Sequence, residues 1–339
     1  GVFFPVSTTK PRYIATTTDP VFLTDITRIT GDTNRPITWA DPKAAAGVWA
    51  RKARHHYSKD QPWNSDGTIL AMDGYESGSP SHYYLDGDNY APLVHKCSDH
   101  SLVDDRWSPD PNFPHIRVNA HGTTLEWYDV VACARTRSWS LPLTAHGIGA
   151  GEGNLSQNGR YIALNDDTRM LVVDMNPYDP NASVVGPVAD ISACGLIDPN
   201  GNTNCVPGWV SVSPSGSYVV VSVGDFLRVY DVGPKLTLTP HVYGPATSEC
   251  YWHDAAHTKP AGSDPNTGSV FGLGHADMAL NPYDGNRDVI IGQRRSWCPN
   301  PPSGSGAKHG TIQMVRFSDG KVTALTSPRS GEPDEASSH

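Results

Sequence analysis

Three places in this chain gather side chains that could do chemistry. The run Arg51-Lys52-Ala53-Arg54-His55-His56-Tyr57-Ser58-Lys59 packs four cations and two histidines into nine residues of a chain whose formal net charge is -9. A basic patch on an acidic protein predicts a specific anionic ligand, and the competing reading is a solvated loop whose charges face water. Further along, Cys250-Tyr251-Trp252-His253-Asp254-Ala255-Ala256-His257, with Cys298, offers two thiolates and two imidazoles, a closed tetrahedral set suited to structural zinc. The alternative there is a Cys250 to Cys298 disulfide with both histidines left over. The third place is His275, where Gly272 and Gly274 on either side of Leu273 let the backbone approach a ligand closely.

The elements that must position these groups come from a repeat. Four times a polar turn containing glycine leads into strand-forming residues: Asn64-Ser65-Asp66-Gly67 into Thr68-Ile69-Leu70, Ser156-Gln157-Asn158-Gly159 into Arg160-Tyr161-Ile162, Ser213-Pro214-Ser215-Gly216 into Ser217-Tyr218-Val219, and Asn281-Pro282-Tyr283-Asp284-Gly285 into Asn286-Arg287-Asp288-Val289. A second phrase answers it, a strand that ends near an aspartate: Leu125-Glu126-Trp127-Tyr128-Asp129, Leu171-Val172-Val173-Asp174 and Leu227-Arg228-Val229-Tyr230-Asp231. A hairpin followed by a third strand, repeated along the chain, is the pattern of β-propeller blades. Composition agrees: 32 glycines and 29 prolines against 37% apolar residues suit short strands with many turns and argue against helix bundles.

The expected fold is therefore an all-β propeller in a single domain over 1–339, with at least five recognisable blades and up to seven. Its units run at about 55–97, 104–140, 151–190, 207–245 and 273–327. The second unit lacks the glycine turn but carries Trp107-Ser108-Pro109-Asp110-Pro111-Asn112-Phe113 where the turn should fall. β-branched segments within residues 1–35 are expected to close the ring. An insertion at about 246–272 has no strand periodicity, and Cys194 to Cys205 reads as a disulfide-closed loop around Asp198-Pro199-Asn200-Gly201. Cys97 and Cys133 remain as a third pair or as buried thiols.

In a propeller the first strand of each blade lines the central channel, so the segment leading into it lies at the channel mouth. These lead-in segments are His55-His56-Tyr57-Ser58-Lys59, Asp104-Asp105-Arg106-Trp107, Gly151-Glu152-Gly153-Asn154, Gly208-Trp209-Val210-Ser211 and Gly272-Leu273-Gly274-His275-Ala276-Asp277-Met278. Together they supply a kit for gripping a polar, ring-shaped ligand, with Lys59, Glu152, Asn154, Trp209 and Asp277 as its binding groups. Arg106 also has Asp104 and Asp105 beside it as ready ion-pair partners. Trp107, Trp127, Trp209 and Trp252 offer stacking surfaces to a purely binding propeller.

The blade pattern, the Tyr57-Ser58-Lys59-Asp60-Gln61-Pro62-Trp63-Asn64-Ser65-Asp66-Gly67 lead-in and the Gly274-His275-Ala276-Asp277 lead-in resemble the β-propeller polysaccharide lyases of the oligogalacturonate and ulvan lyase types, over residues 12–339. The resemblance implies β-elimination on a uronate polymer. Such a reaction neutralises the uronate carboxylate, removes the C5 proton with a base and protonates the leaving oxygen. It implies His56 or His275 as base, Tyr57 as acid, and Arg106 and Lys59 as carboxylate partners, with a divalent cation as an optional helper.

Other chemistries find less support. There is no Gly-x-Ser-x-Gly elbow, His-Glu-x-x-His or phosphate loop. Carboxylates such as Asp104, Asp105, Asp166, Asp167 and Glu152 leave a glycoside hydrolase as an alternative. The acidic balance argues against nucleic acid as a partner. No stretch approaches the roughly 20 apolar residues of a membrane-spanning helix, so a soluble chain with no membrane partner is expected. Six cysteines and the many Pro/Gly loops suggest a mature secreted or periplasmic protein. The expected partner is an acidic polysaccharide or oligosaccharide.

Overall fold

The computed structural model describes residues 10–40, 47–55, 60–74, 82–94, 104–192, 207–223, 226–241, 276–293, 312–319 and 322–326. Among them, strands in six antiparallel sheets make up nearly all regular structure. The only helical segments there are three-residue 3-10 turns at Pro180–Ala182, Pro234–Leu236 and Pro282–Asp284.

Five sheets follow one another along the chain as meanders. Sheet I contains Ala53–Arg54, Ile69–Gly74, His82–Asp86 and Pro92–Val94. Sheet II contains Asp105–Trp107, Ile116–Asp129 and Ala134–Ala145. In sheet III, Tyr161–Asn165 pairs with Arg169–Asp174, which in turn carries both Val184–Val185 and Ala189–Asp190. Sheet IV contains Pro207–Val212, Tyr218–Val223, Phe226–Val232 and Leu238–Pro240, and sheet V contains Ala276–Asn281, Arg287–Gln293, Ile312–Arg316 and Val322–Thr326. Such a run of antiparallel meanders is the layout of a β-propeller.

Three copies of the repeated turn share one hydrogen-bonding scheme, whereas Asn281 Oδ1 of the fourth accepts from Tyr283 N–H, two residues on. In the three, the first side chain accepts a bond from the backbone N–H five residues on: Asn64 Oδ1 from Ile69 (2.9 Å), Ser156 Oγ from Tyr161 (2.8 Å) and Ser213 Oγ from Tyr218 (3.2 Å). The third side chain, Asp66, Asn158 or Ser215, accepts from the N–H two residues on. The glycine that follows adopts positive φ, +67° at Gly159 and +80° at Gly216, a region that a residue with a Cβ enters only with strain.

Sheet II reaches the same pattern without that turn. Val130 N–H donates to His115 O (3.0 Å), so the two ends of the Ile116–Asp129 strand meet and the strand doubles back near Gly122, which has φ +53°. The equivalent bonds in sheets III and IV are Met175 N–H to Arg160 O (2.8 Å) and Val232 N–H to Ser217 O (2.9 Å).

Strand periodicity sends alternate side chains to opposite neighbours. Ile162 and Leu164 pack toward Val118, Leu125 and Trp127 of sheet II, whereas Ala163 packs with Val210, Val219 and Val221 of sheet IV. Val220 faces Ile290, Val315 and Phe317 of sheet V. Each inner strand is covered on both faces, which explains why these strands read as nearly continuous apolar runs.

The N-terminal strands depart from expectation. Thr16–Thr18 and Asp25–Thr27 pair with each other as a separate two-stranded ribbon. One face is polar, with Thr16 Oγ1 2.7 Å from Thr27 Oγ1 and Thr18 Oγ1 donating to Asp25, and Ile26, the ribbon's one large apolar residue, stays exposed. Tyr13, next to the ribbon, sits edge-on to Trp49 at 5.5 Å, and Trp49 in turn stacks on Tyr83 of sheet I.

Candidate functional site

Lead-in segments from four of the five sheets converge on one cavity of about 500 Å3. Its polar lining is His55, Asp60, Gln61, Arg106, Asn154 and Asp277, and its apolar lining is Pro62, Trp107, Pro109, Leu155 and Met278. Sheet I contributes the residues beside Ala53–Arg54, sheet II its first strand, sheet III the segment before Tyr161, and sheet V its first strand Ala276–Asn281. Sheets I and V, the first and last of the five described meanders, therefore both line this cavity.

Three of the expected site residues lie here: Arg106, Asn154 and Asp277. Arg106 is buried and heavily engaged. Nε donates to Gly153 O (3.0 Å), Nη1 to Asp104 Oδ1 (2.6 Å) and Asp105 O (2.9 Å), and Nη2 to Gly151 O (2.8 Å). Four of its five N–H groups thus meet protein acceptors. Asn154 is half-buried, and its backbone N–H donates to Ser211 Oγ (3.0 Å). Asp277 is exposed and accepts from Met278 N–H (2.8 Å).

Two other expected binding residues are placed elsewhere. Trp209 is 2% exposed and packs with Val220, Val229 and Phe317 between sheets IV and V. Glu152 lies on the loop between sheets II and III, outside the cavity lining. Trp127 is buried against Phe113 and Trp139 and offers no stacking surface, whereas Trp107 is mostly buried but forms part of the cavity wall. His56, Tyr57, Lys59 and His275 lie outside the described residues, as do Cys250, His253, His257 and Cys298, the 246–272 insertion and the Cys194 to Cys205 loop. Cys133 is disulfide-bonded, and Cys97, its expected partner, lies outside the described residues. Among the described residues no group of three or more His, Cys, Asp or Glu is placed to hold a metal ion.

Behind the cavity wall lies an ionic cluster that the sequence reading missed. Arg117 is buried between sheets I and II, where Nε donates to Asp105 Oδ2, Nη2 donates to Asp105 O (3.1 Å), and Nη2 lies 3.5 Å from Asp60 Oδ2. Its guanidinium also sits over the Trp107 ring, 4.8 Å from the centroid. Burial alone would raise the Asp105 carboxyl, but the charges of Arg117 and then His82 outweigh it and hold the group at about 2. Burial alone would lower the His82 imidazole. The hydrogen bond between His82 Nδ1 and Asp73 Oδ1 (2.9 Å) and the charge of Asp105 lift it above its usual value instead. Asp60 belongs both to this cluster and to the cavity lining, so it ties the two together.

No protein-family model matches the chain, and no curated protein matches it. Solved structures resemble it loosely. The β-propeller domain of Cps50 (Swd1) from Myceliophteria thermophila is 11% identical, with 80% of this chain and 87% of that one covered and a TM-score of 0.36. A functionally unknown protein from Desulfotomaculum acetoxidans is 12% identical over 88% of this chain and 84% of the other, with a TM-score of 0.41. A chain of the mitotic checkpoint complex is 10% identical over 85% and 73%, with a TM-score of 0.42. Likenesses this loose carry no argument, and the propeller layout rests on the five sheets themselves.

Proposed function

We propose that this chain is a saccharide-binding propeller whose five sheets act as blades around the cavity, and that it takes sugar rings of an acidic, uronate-containing polymer or its oligosaccharides into that space. The observation that carries the reading is the convergence of His55, Asp60, Arg106, Asn154 and Asp277 from four sheets on one cavity with Trp107 and Met278 in its wall. Polar groups that fix orientation beside an apolar wall suit a sugar ring, which presents hydroxyls at its rim and C–H groups on its face.

Cleavage by β-elimination is the catalytic form of this proposal. His55, from the basic run, lines the cavity, and His56, Tyr57, Lys59 and His275 lie within two positions of cavity-lining residues in sequence. Secretion and a bound divalent cation, whether at Cys250, His253, His257 and Cys298 or at the cavity, belong to the same proposal. A second reading, glycoside hydrolysis, is favoured by one observation: two acidic residues, Asp60 and Asp277, line the same cavity. Incubation with uronate polymers separates the readings. Ultraviolet absorbance of unsaturated uronates marks a lyase, new reducing ends without it mark a hydrolase, and binding with neither marks a non-catalytic propeller. No binding and no product would refute the proposal.

A further inference from the structure

Between sheets II and III the chain runs His146-Gly147-Ile148-Gly149-Ala150-Gly151-Glu152-Gly153-Asn154, with a glycine at every second position from 147 to 153. Gly147, Gly149, Ala150 and Gly151 all have positive φ. The loop is wedged between two sheets. A Cβ on Gly147 would collide with the Asp104 carboxylate of sheet II, and one on Gly149 would collide with the Val210 carbonyl of sheet IV. Val210 N–H in turn donates to Gly149 O (3.3 Å).

Two neighbouring side chains of sheet II engage both kinds of backbone group in this loop. Asp104 Oδ2 accepts from Ile148 N–H (2.5 Å), while Arg106 donates to Gly151 O and Gly153 O. Asp104 Oδ1 and Arg106 Nη1 then join at 2.6 Å and close the circuit. The loop ends at Asn154, whose backbone is fixed on Ser211 and whose residue lines the cavity. A carboxamide both donates and accepts, which matches a pair of sugar hydroxyls.

We propose that Asp104 and Arg106 are positioning residues, which clamp the 147–153 backbone by its N–H and C=O groups and thereby set Asn154 in the cavity wall as the group that reads ligand hydroxyls. The role of Asn154 rests on the cavity being a saccharide site, whereas the clamp does not. Because four of its five N–H groups are spent within the protein, two of them on this loop, Arg106 acts on a ligand through Asn154.

The test has a ligand-free arm and a ligand arm, both on the full chain. In the first, hydrogen exchange is followed by mass spectrometry in Arg106→Lys, which keeps the charge but loses the planar fork, and in the milder Asp104→Asn. Amides over 147–154 should exchange about tenfold faster, while those of Tyr218–Val223 keep their protection. Unchanged exchange over 147–154 would overturn the clamp. In the second arm, titration with a galacturonate trisaccharide should show about tenfold weaker binding for Arg106→Lys and for Asn154→Ala, with the double variant no weaker than the worse single one. Additive losses would show that Arg106 contacts the ligand itself and would overturn its positioning role. Absence of wild-type binding to the trisaccharide would refute the saccharide reading and the role of Asn154, and the exchange arm would then decide the clamp alone.

Discussion

Sheets III and IV meet across Ala163, Met170, Val172, Val210, Val219 and Val221, an apolar interface of interdigitated strand faces. Sheets I and II meet differently. Their apolar cluster of Ile69, Ala71, Tyr84, Trp107 and Val130 is joined by buried Arg117, Asp105 and Asp60 and half-buried His82. The ionic interface includes Asp60, which faces the cavity, and the apolar one contributes nothing to the cavity lining. Stability alone does not call for buried charge, since apolar side chains of similar volume often serve as well or better. Under the proposed saccharide reading, the charges of the I/II interface fix Asp60 and Trp107 where they line the cavity.

Replacing a residue at each interface should expose the contrast. Arg117→Ala leaves Asp105 and Asp60 without their shared cation and should cost about 4 kcal/mol, read by chemical denaturation. Met170→Ala leaves a void between sheets III and IV and should cost about 3 kcal/mol. Salt and pH should alter the first loss and leave the second unchanged.

The pH dependence should sharpen the contrast further. Because the folded state holds Asp105 at about 2, its stabilising contribution is present above the unfolded carboxylate range near 4 and fades as pH falls from there through about 2. Its size is on the order of 2 kcal/mol. His82 titrates the other way. Its raised value stabilises the fold fully below about 6.5, and that contribution is lost as pH rises through the folded value. Denaturation curves of Asp105→Asn should flatten the acid limb, those of His82→Asn should flatten the neutral limb, and Met170→Ala should retain both.

The smallest expected effects distinguish two copies of the same turn. Gly216→Ala combines positive φ with a Cβ that would press on the Tyr161 ring across the III/IV interface, and should cost about 2 kcal/mol. Gly67→Ala has φ +75° but open space around it, and should cost about 1 kcal/mol. Equal losses at the two positions would mean that the interface contact contributes nothing.

Local features were the legible ones. The Asn64, Ser156 and Ser213 turns carry their hydrogen-bond partners within five residues, so residue order alone announces them. The strand-forming residues Thr68-Ile69-Leu70 that follow the first turn fall at the start of the strand Ile69–Gly74. The lead-in segments led to Arg106, Asn154 and Asp277 because Arg106 and Asp277 stand in the first strands of their sheets and Asn154 directly precedes Leu155, which bridges Ile162. What escaped was set by contacts between distant residues. Arg117 and Asp60 are 57 positions apart and read singly as surface charges. Trp209 looks like a stacking platform until its strand alternation is registered against sheet V. The ribbon of Thr16–Thr18 and Asp25–Thr27 has β propensity but leaves Ile26, its one large apolar residue, exposed, and propensity alone gave it the role of closing the ring.

The central claim is that the cavity among sheets I, II, III and V is a saccharide site. Soaking or co-crystallising the protein with a galacturonate trisaccharide and determining the crystal structure tests it most directly. The account predicts a sugar ring in the cavity, with its face toward Trp107 and Met278 and a hydroxyl within hydrogen-bond distance of the Asn154 carboxamide. A ring bound elsewhere on the protein, or an empty cavity at a trisaccharide concentration that saturates binding in solution, would contradict it.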